Sequence, residues 1–204
     1  MKVKICGLHP ARDVQLCIDL GVNFLGFVFY SKSPRNVDIK EIEKLKSYNK
    51  LNSKFVAVTV NPNDEFIKNV VLDNFDFLQL HGSETNERIK EIKSMGLKII
   101  KAIKIKGETD IEEYKKYENA DIILFDTPGM EKSIEFPKEL ISKLPKGERF
   151  ALAGSISQNN IENIKKLGVT FCDLSSNLER DAEIGYKDHQ KIKKFINKVN
   201  ETKN

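Results

Sequence analysis

Residues 2–29 read KVKICGLHPARDVQLCIDLGVNFLGFVF, and this stretch sets the pattern that the rest of the chain repeats. It predicts a short strand at Val3–Cys6, a helix at Ala11–Leu20 and a second strand at Phe24–Phe29. Apolar runs separated by helix-length segments are typical of parallel strands that are buried on both faces. The carboxyl ends of such strands face the active site, so Cys6 is predicted to lie at the mouth of the fold.

The alternation of strand and helix continues along the whole chain. Further strands are predicted at Phe55–Val60, Phe77–Leu80, Lys98–Ile103, Ile122–Asp126, Phe150–Ala153 and Phe171–Ser175. Further helices are predicted at Ile39–Tyr48, Asp64–Leu72, Glu84–Met95, Asp110–Tyr117, Pro137–Leu144, Ile161–Leu167 and Lys187–Val199. Eight such units predict an α/β fold, a single (β/α)8 TIM barrel that forms one domain over residues 1–204. Its loops are expected to be short, because this length is low for the fold.

The composition, 40% apolar and 31% charged, is typical of a globular protein. No apolar run approaches the roughly 20 residues that span a bilayer. Because Met1 leads straight into a strand, we expect a cytoplasmic protein with no membrane partner. Three cysteines at unrelated spacings indicate reduced thiols, without a disulfide framework or a metal site. The net charge of +4 comes from lysines spread over helix surfaces, so no nucleic-acid partner is expected.

Two side chains at strand ends, Cys6 and Asp126, form the predicted catalytic pair. Strands one and six lie three steps apart around the ring, so their tips face each other across its mouth. Proton transfer between adjacent substrate atoms requires an acid and a base placed in this way. Taken singly, a strand-end cysteine is more often a small core residue, and an aspartate after a strand is often a turn former or helix cap.

Polar side chains at alternate strand positions mark the face that points into the barrel or towards its mouth. Lys4 and Asp173 share this face on neighbouring strands, so we expect a salt bridge between them inside the barrel. A purely stabilising role is the alternative for that pair. Gln79 and His81 share one face of the fourth strand, and we expect both to bind the substrate.

Loop residues behind several strand ends are the predicted anion-binding groups. Arg35 follows strand two, and its guanidinium suits a carboxylate or phosphate, with a surface salt bridge as the alternative. Barrels frequently bind phosphate at the ends of strands seven and eight, using loop N–H groups and a helix N-terminus. We expect a small phosphorylated substrate whose phosphate is held there by Gly154, Ser155, Ser176 and Asn177, with Gly129 in the loop after strand six as a further phosphate-binding residue.

In the order and spacing of its motifs, the chain resembles the phosphoribosylanthranilate isomerases of tryptophan biosynthesis over nearly its whole length. The shared motifs are Lys4-Ile5-Cys6-Gly7, Gly26-Phe27-Val28-Phe29, Ser33-Pro34-Arg35, Leu78-Gln79-Leu80-His81-Gly82, Phe125-Asp126, Leu152-Ala153-Gly154, Asp173-Leu174-Ser175-Ser176 and Tyr186-Lys187-Asp188. No single motif is specific to the family, but the combination is.

The resemblance implies an Amadori rearrangement of N-(5-phosphoribosyl)anthranilate that needs neither a metal nor an organic cofactor. It implies that Asp126 is the general acid that opens the ribose ring and that Cys6, as a thiolate, removes the C2 proton. It implies that Arg35 holds the anthranilate carboxylate. A thiolate needs a nearby cation or helix terminus; Lys4 is one candidate, although we expect it to lie too low in the barrel. We expect a monomer or a homodimer.

The chain departs from the family pattern at the phosphate end. The family usually has Gly-Gly-Thr-Gly after strand six and glycines at the positions of Ser155 and Asn177, whereas residues 128–133 here read PGMEKS. Glycines allow close backbone approach, so we expect weakened or rearranged phosphate binding, partly offset by the charge of Lys132. Two rival readings stay open. One is the related histidine-pathway phosphoribosyl aminal isomerase, which typically has aspartate in place of Cys6; the other is a catalytically idle barrel that binds a phosphometabolite or a protein.

Overall fold

The computed structural model describes residues 1–128 and 136–201, and its first eight strands close into a parallel barrel. They pair in chain order, and β1 also pairs with β8. The strands are β1 Lys2–Cys6, β2 Phe24–Phe29, β3 Lys54–Thr59, β4 Phe77–Leu80, β5 Lys98–Lys104, β6 Ile122–Asp126, β7 Phe150–Leu152 and β8 Phe171–Leu174. The predicted (β/α)8 barrel is confirmed, and every predicted strand end lies within one residue of the observed one.

Helical segments cover the outside of the barrel, and several of them are not regular α-helices. The α-helices are Val14–Asp19, Asp64–Phe66, Asn86–Ser94, Lys138–Lys143, Ile161–Lys166 and His189–Glu201. Ile39–Ser47 and Glu108–Lys116 are 3₁₀-helices and Ile67–Val71 is π-helical, where the sequence predicted ordinary helices. A 3₁₀-helix rises about 2.0 Å per residue, compared with about 1.5 Å in an α-helix. It therefore spans the same distance along the outside of the barrel with fewer residues. Within the described ranges, no helix has the length and apolar character needed to cross a membrane.

A two-stranded hairpin between β8 and the last helix was not predicted. It consists of β9 Glu179–Arg180 and β10 Glu183–Lys187, and it ends where the last helix was expected to begin. That helix begins only at His189, because the Asp188 carboxylate accepts hydrogen bonds from the N–H groups of Gln190 at 2.8 Å and Lys191 at 3.1 Å. β9 has only two residues, and the alternating Ile184 and Tyr186 of β10 are exposed, so neither strand has the buried apolar face by which a strand is recognised in a sequence.

Inward-facing side chains fill the barrel in layers that follow from the strand register. At the bottom, the ring of Phe24 lies 5.4 Å from that of Phe77 and 4.9 Å from that of Phe171, measured between centroids, and these rings plug the barrel. Above them come polar layers. From the bottom upwards these contain Lys4, then Gly26, Gln79 and Asp173, then Cys6, and at the mouth His81 and Asp126.

Candidate active site

A pocket of about 250 Å³ opens at the carboxyl end of the barrel, where this fold places its ligands. It brings together most of the predicted site residues: Cys6, Arg35, His81, Asp126, Gly154, Ser155, Ser176 and Asn177 all line it. Gly129 and Lys132 lie outside the described residues. In the described part of the chain, no group of three or more His, Cys, Asp and Glu side chains is arranged to hold a metal ion.

Gln79 does not line the pocket, contrary to the expectation that it binds the substrate. Alternate positions along a strand are about 7 Å apart, so of the two polar residues on the inner face of β4 only His81 reaches the mouth. Gln79 is fully buried in the layer beneath Cys6. Its amide nitrogen and oxygen have no hydrogen-bond partner among the described residues.

Cys6 ends β1 and is partly buried in the pocket, above a charged pair inside the barrel. The Lys4 ammonium donates a hydrogen bond to Asp173 Oδ2 at 2.9 Å, which confirms the predicted salt bridge. The expectation that Lys4 lies too low to reach Cys6 is wrong, because its side chain extends upwards past its own register position and its positive charge acts on the Cys6 thiol. Gly26 leaves room for this: a Cβ there would lie 3.0 Å from Lys4 Nζ and 3.2 Å from Cys6 Cα.

The electrostatic environment of Cys6 favours the thiol in the unliganded protein. Burial raises the pKa of Cys6, and the nearby Asp173 carboxylate adds to that effect. The positive charges of Lys4 and Lys187 oppose it but do not outweigh it. The cations that a thiolate requires are therefore in place, but the thiol stays protonated near neutral pH until something else in the pocket favours its ionisation.

Asp126 ends β6 on the far side of the same pocket. Burial, with a contribution from the Asp173 charge, raises the pKa of Asp126 to about 7. The Thr127 N–H and the charges of Lys4 and Lys104 limit that rise. A carboxyl group with a pKa near 7 is populated in both its acid and its base form at neutral pH, which suits a group that must donate a proton.

His81 stands at the top of the inner face of β4 and lines the pocket. Burial and the charges of Lys4, Lys101 and Lys104 lower the pKa of His81 to about 3. Its imidazole is therefore neutral at ordinary pH and offers one hydrogen-bond donor and one acceptor to a ligand.

Arg35 lines the pocket from the loop after β2, in a buried ion pair that the sequence did not reveal. Its Nε and Nη2 donate to Glu179 Oε1 and Oε2 at 2.6 Å and 2.9 Å, and the two side chains are 7% and 5% exposed. Lys187 donates to the same Oε1 at 3.0 Å. The alternative reading of Arg35 was a surface salt bridge, whereas this pair is buried.

The loops after β7 and β8 are joined at the end of the pocket where phosphate binding is predicted. Asn177 Nδ2 donates to Ser155 Oγ at 3.3 Å and to the Ile156 carbonyl at 2.9 Å. Gly154 and Ser155 both have a positive φ, 103° and 47°, so Ser155 adopts a backbone conformation that favours glycine. The non-glycine side chains keep this turn and add a contact between the two loops.

Comparison with known proteins identifies the family of this chain. The chain matches the family model described as N-(5'phosphoribosyl)anthranilate (PRA) isomerase over residues 3–198. The N-(5'-phosphoribosyl)anthranilate isomerase of Aquifex aeolicus is 37% identical, with 98% of each protein covered. A solved PRA isomerase in complex with reduced 1-(o-carboxyphenylamino)-1-deoxyribulose 5-phosphate is 28% identical, with 98% of this chain and 99% of that chain covered and a TM-score of 0.83. A structure of monomers generated from the dimeric isomerase of Thermotoga maritima is 27% identical, with the same coverage and a TM-score of 0.82.

Proposed function

The chain belongs to the N-(5'-phosphoribosyl)anthranilate isomerase family, and on this premise we propose how its residues carry out the reaction. The reaction converts N-(5-phosphoribosyl)anthranilate to 1-(2-carboxyphenylamino)-1-deoxyribulose 5-phosphate in tryptophan biosynthesis. Asp126 is the general acid and Cys6 is the general base. One observation carries this assignment: the two side chains end β1 and β6, three steps apart around the barrel, and line one pocket, and the carboxyl group has a pKa of about 7.

Ring opening is the first step and uses the proton of Asp126. The carboxyl group protonates the ribose ring oxygen while the bond between that oxygen and C1 breaks. The electron pair of the anthranilate nitrogen forms the new C1–N double bond, which leaves a positively charged Schiff base. Asp126 becomes a carboxylate. Because its pKa is raised, a large fraction of the Asp126 carboxyl group still carries a proton near neutral pH, where an ordinary aspartic acid has already lost it.

Removal of the C2 proton is the second step and requires Cys6 as a thiolate. The positive Schiff base formed beside it, together with Lys4 and Lys187, favours loss of the thiol proton to solvent. The sulfur takes the C2 proton, and the electrons of the C2–H bond move to the Schiff base nitrogen to give an enolamine. This tautomerises to the ketone by gaining a proton at C1 and losing the C2 hydroxyl proton. Because the nitrogen accepts the electrons, the scheme needs neither a metal nor an organic cofactor.

The remaining pocket residues hold the two anionic ends of the substrate in this scheme. Arg35 binds the anthranilate carboxylate through its guanidinium, a group whose planar donors match a carboxylate. The neutral His81 hydrogen-bonds substrate hydroxyl groups. The phosphate lies against the ends of β7 and β8, where it is held by Gly154, Ser155, Ser176 and Asn177, with Gly129 as a further candidate outside the described residues.

Two rival readings are less well supported. The histidine-pathway isomerase typically has an aspartate where this chain has Cys6, and none of the relatives named above carries that name. A catalytically idle barrel has no need for an acid and a base that face each other across one pocket. We further propose that the protein is a monomer or homodimer, in keeping with the dimeric Thermotoga relative, and that it works in the cytoplasm, which suits its free thiols.

Growth of a tryptophan auxotroph that lacks this isomerase tests the proposal. We expect the wild-type chain to restore growth, and the Cys6→Ala and Asp126→Asn variants to fail at equal protein level. Cys17→Ala is the matched control, because Cys17 is a fully buried thiol away from the pocket and should still support growth. Failure of the wild-type chain would contradict the function, and growth with Cys6→Ala or Asp126→Asn would contradict the residue assignment.

A further inference from the structure

The hairpin after β8 carries two buried charged side chains beside the pocket, and neither of them lines it. Glu179 begins β9 and Lys187 ends β10, and the antiparallel register pairs them directly. Their side chains are 5% and 0% exposed. Charged side chains are almost never buried to this degree unless they are paired. The partners of this pair therefore indicate what it does.

Both carboxylate oxygens of Glu179 accept hydrogen bonds from the guanidinium of Arg35. Two parallel hydrogen bonds, at 2.6 Å and 2.9 Å, fix the plane of the guanidinium as well as its position. The aliphatic part of Arg35 is held from the other side by Gly7, where a Cβ would lie only 2.6 Å from Arg35 Cδ. Gly7 has a φ of +72°, which also favours glycine there.

Lys187 helps to keep the Glu179 carboxylate ionised and connects it to the end of β8. Its ammonium donates to Glu179 Oε1 at 3.0 Å and to the Ser175 carbonyl at 3.2 Å, and Ser175 Oγ donates to the Cys6 carbonyl at 3.1 Å. Burial by itself would raise the pKa of Glu179, but the hydrogen bonds from Arg35 and the charge of Lys187 outweigh it and the pKa is lowered. Glu179 is thus an ionised carboxylate tied to the same strand ends that carry the proposed base.

We infer that Glu179 and Lys187, which we call the clamp, are positioning residues that set the preference for a substrate bearing a carboxylate. The inference rests on the proposed function, in which Arg35 receives that carboxylate. A long arginine side chain that becomes ordered only when the substrate binds loses conformational entropy at that moment, and this loss weakens binding. The clamp orders Arg35 on folding, so the guanidinium is held in place at the pocket wall before substrate binds.

Turnover of two substrates tests the clamp. One is N-(5-phosphoribosyl)anthranilate and the other is N-(5-phosphoribosyl)aniline, made by condensing aniline with ribose 5-phosphate, which lacks the carboxylate. The double variant Glu179→Gln/Lys187→Met removes both buried charges, so it leaves no unpaired ion. We expect kcat/KM for the anthranilate substrate to fall by roughly 10- to 100-fold, mainly through KM, because small misplacements of positioning groups have effects of this size. We expect kcat/KM for the aniline substrate to fall at least about fivefold less than that for the anthranilate substrate, since Arg35 has nothing to bind there and only the loss of the Lys187 charge near Cys6 acts on that reaction.

A second buried ion pair provides the matched control. Glu84 and Lys101 are 2.8 Å apart with side chains 3% and 2% exposed, and neither lines the pocket. Glu84→Gln/Lys101→Met should lower or preserve the two kcat/KM values together and leave their ratio unchanged. Glu179→Asp retains the charge with a shorter reach and should also lower the ratio, so it serves as the test if the neutral clamp variant does not fold.

The outcomes separate the clamp from the function on which it rests. A ratio that stays at the wild-type value in a folded clamp variant overturns the inference. So does an equal loss on both substrates, which would assign the pair a merely structural role. If the wild-type protein converts neither substrate, the proposed function has failed and the inference fails with it. If the wild-type protein converts both substrates equally well, Arg35 does not discriminate between them through the carboxylate. In that case only the inference about the clamp is overturned.

Discussion

At the scale of single residues, the burial that raises the pKa of Asp126 also lowers the stability of the folded protein when that carboxyl group is ionised. Its pKa in the folded protein is about 7, above the usual value of 3.8 for an exposed aspartate. A carboxyl group whose pKa is raised by folding contributes its stability below the unfolded pKa, and this contribution is lost as the pH rises through the folded pKa. The ionised form that predominates above pH 7 is therefore held at a cost to the fold.

Replacing this carboxyl with an amide should remove that cost. We expect Asp126→Asn to be more stable than the wild-type protein at pH 8, by up to about 4 kcal/mol, since each pKa unit corresponds to about 1.4 kcal/mol. The difference should shrink steadily below pH 7 and vanish near pH 4. Denaturant unfolding at pH 4, 6 and 8 measures it. A stability difference that is the same at all three pH values would show that the raised pKa is not its source.

Asn177 has a second residue-scale consequence, because it joins the two loops at the predicted phosphate end. Asn177→Gly restores the residue usual in the family but removes the contacts to Ser155 Oγ and the Ile156 carbonyl. We expect KM to rise and kcat to change little, since a phosphate held equally in the ground and transition states affects binding alone. Ser155→Gly, which also relaxes a positive φ, is the comparison. Tighter substrate binding in Asn177→Gly would mean that the side chain is an impediment and not a functional substitute.

At the scale of elements, β1 and β8 are joined by a charge pair inside the barrel as well as by their backbone register. Lys4 and Asp173 are 1% and 7% exposed and are register partners. The Asp173 charge and its hydrogen bond hold the pKa of Lys4 above its usual range even though burial opposes this. This pair sits directly below Cys6, so it belongs both to the packing of the barrel and to the field in the pocket.

Removing one member of this pair should be costly. We expect Lys4→Met to lower the free energy of unfolding by about 3–5 kcal/mol, because it leaves the Asp173 carboxylate buried without its counter-ion. Lys4→Met/Asp173→Leu should recover most of that loss. Lys46→Met is the control, because the Lys46–Glu43 pair is exposed and such pairs contribute about 0–1 kcal/mol. Equal small losses in Lys4→Met and Lys46→Met would refute a buried, interacting pair.

At the scale of the whole molecule, the sequence predicted what depends on repetition along the chain. Parallel strands buried on both faces leave apolar runs at regular intervals, so the barrel and its strand ends were readable, and with them the place of Cys6 and Asp126. Strand parity likewise predicted the Lys4–Asp173 pair. These features depend on backbone geometry, which a pattern in the sequence records directly.

What the sequence did not predict depends on side-chain length and on contacts between distant residues. Lys4 reaches Cys6 because its side chain is long and Gly26 leaves room for it, and neither fact is visible in strand parity. Arg35 and Glu179 are separated by 144 positions, so no local pattern connects them. Gln79 has the parity of a mouth residue but lies one layer lower.

The acid–base pair is tested most directly by kcat at saturating N-(5-phosphoribosyl)anthranilate, measured for the wild-type protein, Cys6→Ser and Asp126→Asn near neutral pH. Each general acid or base typically contributes about 10²–10⁴-fold to the rate. We expect each variant to lose kcat by a factor in that range while the protein stays folded. A kcat close to that of the wild-type protein in either variant would contradict the assignment of Asp126 as the acid or Cys6 as the base.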